Sequence, residues 1–142
     1  MNIQQAIMVA ALLLAPAVAF ADEEPPARVF LQEVNGSFAS CARLIGESEM
    51  NSRLYGLAAP SSTGKIGDCA NNGRERVKKA FHAYVASQPG DEAKASAKSV
   101  YAASLAYADA ITNAPTRSDL DNGIAHAELS KAKSMFIIDS GL

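Results

Sequence analysis

The stretch Leu31-Gln32-Glu33-Val34-Asn35-Gly36-Ser37-Phe38-Ala39-Ser40-Cys41-Ala42-Arg43-Leu44-Ile45 decides the fold. Its apolar residues Leu31, Val34, Phe38, Cys41 and Ile45 recur at alternating three- and four-residue steps. That spacing gathers all five on one stripe of an α-helix, with Ala42 beside them. A strand would need alternation at every second residue, and β-branched residues nowhere alternate over a useful length in this chain. Cys41 lies on the inward stripe between Phe38 and Ile45 and is expected in the core.

Cys41 has one counterpart, Cys69, and the chain contains no other cysteine. Upstream, residues 7–18 are apolar apart from Pro16, and Ala19-Phe20-Ala21 has the small-x-small pattern of a signal-peptidase site. The apolar run is shorter than the roughly 18–20 residues that span a bilayer. Residues 1–21 are therefore expected to be a cleavable leader, 22–27 an acidic, proline-containing linker, and 28–142 a single helical domain. Met1-Asn2-Ile3-Gln4-Gln5 departs from the usual leader in having no lysine or arginine. Export places the chain in a periplasmic or secreted setting, where two cysteines are most simply one bridge. Closing a loop of about 28 residues should stabilise the fold by roughly 3–4 kcal/mol on chain-entropy grounds.

Working outward, the first helix is expected to continue to Tyr55 and stop at Gly56. Residues 57–67 contain Pro60, Ser61, Ser62, Thr63, Gly64 and Gly67, all turn formers, and are expected to form a loop. Asp68 or Asn71 then caps a second helix with Val77, Phe81, Tyr84 and Gln88 inward. Pro89-Gly90 ends it. Asp91 then caps a third helix whose inner face is Ala93, Ala97, Val100, Ser104, Ala108 and Ile111, small enough for close packing. Ala114-Pro115 ends that one, and Ser118 caps a fourth.

The fourth helix carries two apolar stripes. Leu120, Ile124, Ala127, Met135 and Ile138 make one. Ala125, Leu129, Ala132 and Phe136 make a second, rotated by roughly 120–140°. One stripe of about 100° suffices for a bundle helix, so the Leu129–Phe136 stripe is either an exposed contact patch or buried because the fourth helix is wedged between neighbours, two readings that the sequence leaves equal. Short connections after the second and third helices imply antiparallel neighbours. The expected fold is all-α: an up-and-down four-helix bundle, with one disulfide linking helix one to the start of helix two.

Composition excludes several functions. A net charge of −2 provides no basic field for nucleic acid. Charged residues make up 20% of the chain and apolar residues 49%, which suits a packed core rather than disorder. Thr63-Gly64-Lys65 fails as a phosphate-binding loop because Ala59 stands where glycine is needed and Ile66 where Ser or Thr is needed. Asp119, Asp121 and Gly123 fail as a calcium loop because Ser130 takes the place of the bidentate glutamate. Cys41, Cys69, His82 and His126 lack the paired spacing of zinc ligands, and no Cys-x-x-Cys-His run marks a covalent haem. No catalytic constellation, metal or cofactor is read from this sequence.

What remains is binding. The expected activity is that of a small exported helical protein which binds another protein, as an inhibitor, an immunity protein or an envelope adaptor does. Stable membrane insertion after leader cleavage is not expected, and a homodimer is a candidate assembly. The partner surface is expected at Lys65, Arg74, Lys78, Leu129 and Phe136. The alternative is a periplasmic small-molecule carrier or chaperone, with Tyr84, Tyr101 and Tyr107 lining a pocket between helices.

Overall fold

The computed structural model describes residues 24–56 and 60–142, with side chains from residue 64 onward in the second segment. The expected leader and residues 22–23 of the expected linker lie outside these residues, and the linker's last two residues, Pro26 and Ala27, are already helical. Among the described residues six helical segments make up four rods. The first rod is α1 (Pro26–Ser37) followed by α2 (Ala39–Tyr55). The second is α3 (Pro60–Ala86), the third α4 (Asp91–Asn113), and the fourth α5 (Arg117–Asp121) followed by α6 (Ile124–Ser140). The first rod packs on α3, α3 on α4 and α4 on α6. Lys133 Nζ of α6 donates to Asn35 Oδ1 of α1 at 2.9 Å and completes the ring of four. The fold is the expected four-helix bundle.

The stripe that decided the fold is buried: Leu31, Val34, Phe38, Cys41, Ala42 and Ile45 all face the core, joined by Phe30. The helix carrying it is interrupted at Phe38, which has left the helical conformation (φ −114°, ψ −4°). The Phe38 ring lies directly against α3 at Gly73, where an added Cβ would overlap the ring edge and fall 3.0 Å from the Ser37 carbonyl oxygen. Gly73 thus sets how closely the second rod approaches the break in the first. Gly73→Ala is expected to cost about 1–3 kcal/mol, the usual penalty of overpacking, read as a lower urea midpoint. Gly46→Ala is the contrast. Its Cβ would meet nothing within 4 Å inside α2, so that variant should gain about 0.5–1 kcal/mol from the better helix former.

The bridge between Cys41 and Cys69 is formed, with the Cα atoms 5.6 Å apart. It does not join the start of the second rod, however. The expected loop over 57–67 is helix from Pro60 onward, so Cys69 sits well inside α3. Pro60 stands at the first helical position, where a fixed φ and a missing N–H suit a helix start. Ile66 and Cys69 pack against the core and hold these early turns in helical form despite Gly64 and Gly67. At its other end α3 stops at Ala86, and Gln88, expected on the inner stripe, is exposed with φ +57°.

The third rod is capped by Gly90 rather than Asp91, which is its first helical residue, but its face is the expected one: Ala93, Ala97, Val100, Ser104, Ala108 and Ile111 are buried, and Ser104 Oγ donates back to the Val100 carbonyl at 2.7 Å. At the bundle centre aromatic rings from three rods meet. Phe30 stacks on Tyr84 with centroids 5.7 Å apart, and Phe136 meets both rings edge-on at 5.4 and 5.2 Å. Phe81 continues this layer, stacked on Tyr101 at 4.8 Å. Edge-to-face and stacked pairs of this kind add to the area they bury.

The fourth rod overturns one expectation. Its cap is Thr116 rather than Ser118: Thr116 Oγ1 accepts from the Asp119 N–H at 3.1 Å and donates to Asp119 Oδ2 at 2.6 Å. The helix then breaks at Asn122-Gly123, and the backbone crowds Gly123, where an added Cβ would lie 3.0 Å from the Asp119 carbonyl oxygen. The break resets the helical phase. Leu120, before it, is buried, but Ile124, Met135 and Ile138, after it, no longer share its face. Leu129 (4% exposed) and Phe136 (0%) take the inward positions instead. These two are core residues, so the wedged reading of the fourth helix holds, and Leu129 and Phe136 present no exposed stripe to a partner.

Candidate functional site

With the second stripe used by the core, the first stripe becomes the surplus one. Ile124 and Ile138 are 79% and 78% exposed and Met135 is 51% exposed. At 100° per residue they fall in one row along α6, with Ala127 and Lys131 in the same row and Glu128 at its border. The row lies roughly 120° around the helix from Leu129 and Phe136. Both stripes were visible in the sequence, and the sign that would have assigned them correctly was the turn dipeptide Asn122-Gly123.

A second exposed apolar group occupies the end of α2, where Met50, Leu54 and Tyr55 lie in solvent. Arg53 and Glu49 pair one turn apart there, and the second Glu49 oxygen accepts from the Arg117 N–H at 3.2 Å, fixing α2 to the start of α5. This tip has less regular spacing than the α6 row.

The basic residues expected at a partner surface are not brought together as a patch. Arg74 pairs with Asp109 and so braces α3 against α4, with a further bond to Asn71 Oδ1 at 2.6 Å. Arg76 is bound to Glu33 of α1 at 2.9 Å. Lys78 is exposed, and Lys65, also exposed, lies by the bridge, beside Ser40 and Cys69.

The three tyrosines do not line one pocket. Tyr84 and Tyr101 belong to the central aromatic layer, and Tyr107 packs edge-on against Phe38 at 5.8 Å near the break in the first rod. Burial raises the Tyr84 phenol above its ordinary pKa. Burial, then the Asp121 carboxylate, does the same for Tyr107, with Arg117 pulling the other way.

The two histidines are also apart. His82 is exposed beside Phe81, while His126 on α6 lies near Tyr107, ring centroids 5.8 Å apart. With both thiols joined in the bridge, neither is a free thiolate for a metal. Among the described residues no helix is long and apolar enough to cross a membrane.

No known family, curated protein or solved structure matches this chain. The outer row of α6 is therefore weighed on its own physical chemistry. Scattered surface hydrophobics are ordinary, whereas large apolar side chains aligned on one element and bordered by charge mark interaction sites.

Proposed function

We propose that this chain is an exported protein-binding module of the bacterial envelope, acting as an inhibitor, immunity protein or adaptor without catalysis. The observation that carries the reading is the Ile124–Met135–Ile138 row on a helix whose inward arc is already filled by Leu129 and Phe136. Burying those three side chains against a partner would recover roughly 1.5–3 kcal/mol for each one fully covered. Lys131 and Glu128 would supply a polar margin of both signs, which favours register over raw affinity. The bridge supports an oxidising compartment, and the expected leader supplies the route to it.

The partner in this reading presents an apolar groove or a second apolar helix face. The experiment is the double variant Ile124→Glu, Ile138→Glu, made in the oxidised protein. Both positions are exposed, so the melting temperature should stay within a few degrees of the parent. Capture of the native envelope partner by the tagged chain should be lost. A parent that sediments as a dimer, together with a variant that sediments as a monomer, would identify the partner as a second copy. A variant that retains every partner and the parent's oligomeric state would sink the proposal.

A further inference from the structure

A cleft of about 240 Å³ opens beside the break at Phe38, between the first rod and the fourth. Val34, Phe38 and Leu129 form its apolar part, and the polar groups around them come from four separate segments. Lys133 is partly buried there. Its Nζ donates to the neutral Asn35 Oδ1, and no carboxylate among the described residues pairs with it. Burial pushes its ammonium below the ordinary lysine value, as expected of a cation short of compensation. An ammonium carries three donors, so two remain.

Arg117 forms another part of the cleft wall. Its Nε donates to both Asp121 oxygens at 2.9 and 2.7 Å, and its terminal nitrogens have no partner among the described residues. His126 Nδ1 lies 2.7 Å from the Asp121 carbonyl oxygen. A carbonyl can only accept, so Nδ1 bears a proton. The Tyr107 hydroxyl, neutral for the reasons already given, has no hydrogen-bond partner among the described residues.

We propose that this cleft binds a small organic carboxylate, with the anionic group on Lys133 Nζ and the Arg117 guanidinium and a short apolar body on Val34, Phe38 and Leu129. The chemistry is selective in both halves. An anion offsets the uncompensated lysine, while an inorganic anion alone would leave the apolar half uncovered. The volume is below the roughly 300–1,000 Å³ of sites for drug-sized ligands, so the body is short, about the size of a single aromatic ring. Lys133 lies roughly 180° around α6 from Ile124, so this site is distinct from the outer row.

The test is an NMR titration of the oxidised protein with benzoate, with uncharged benzamide and inorganic phosphate as comparisons. Benzoate should shift the Asn35, Tyr107 and His126 amides saturably. Benzamide and phosphate should bind about tenfold more weakly or worse, the scale of a charged hydrogen bond. Lys133→Met should weaken benzoate by about the same factor, and Lys98→Met, exposed on α4, should leave it unchanged. No saturable shift with benzoate, or equal binding of benzamide, would overturn the proposal using the unaltered protein alone. Unchanged benzoate affinity in a folded Lys133→Met variant would overturn it as well.

Discussion

Phe136→Ala is expected to destabilise the protein by about 3–5 kcal/mol, the cost of emptying an aromatic-sized core site that can only partly collapse. Phe136 is fully buried and meets Phe30 and Tyr84 edge-on, so its loss removes both ring pairs along with the transferred area. In a domain of this size the melting temperature should drop by on the order of 10–20 °C. Met135→Ala, one residue away, should cost no more than about 1 kcal/mol because half of that residue is exposed to water. The adjacent pair tests the phase of α6 directly. Equal losses at 135 and 136, or a larger loss at 135, would mean that the rod is rotated from the arrangement described.

Removing the bridge has the next largest effect. The variant Cys41→Ala, Cys69→Ser should lose about 3–4 kcal/mol, the loop-closure entropy of a 28-residue separation in the unfolded chain. Urea unfolding provides a second readout. An uncrosslinked unfolded chain is more open, so the m-value should rise as the midpoint falls. A loss under about 1 kcal/mol with an unchanged m-value would show that the staple constrains little.

How much of this architecture was legible depends on whether a rod is continuous. In α4, Asp91 opens the helix, Ala114-Pro115 closes it and nothing interrupts it, so Ala93 through Ile111 could be placed on one face from spacing alone. In the first rod the stripe from Leu31 to Ile45 survived the break at Phe38, because the residues on both sides of it still pack on α3. In the fourth rod the break at Asn122-Gly123 did not preserve the phase, and a stripe extrapolated from Leu120 ended in solvent. The early turns of α3 escaped for a different reason. Their serines and glycines favour turns locally, and the packing of Ile66 together with the bridge outweighs that preference. The carboxylate cleft was not legible at all, since Asn35, Tyr107, Arg117 and Lys133 come together only through the bundle's closure.

The bridge described above is chemically one-sided. Cys41 is wholly buried beneath Phe38 and Ile45, whereas Cys69 lines a surface cleft with Ser40 and Lys65. Thiol–disulfide exchange requires a thiolate to reach a sulfur from outside. Any reductant or oxidoreductase must therefore engage Cys69 and form the mixed disulfide there, with the Cys41 thiolate as the leaving group inside the core. In a folded chain with both thiols reduced, the same asymmetry would make Cys69 the residue that meets an oxidant and Cys41 the one that resolves the mixed disulfide.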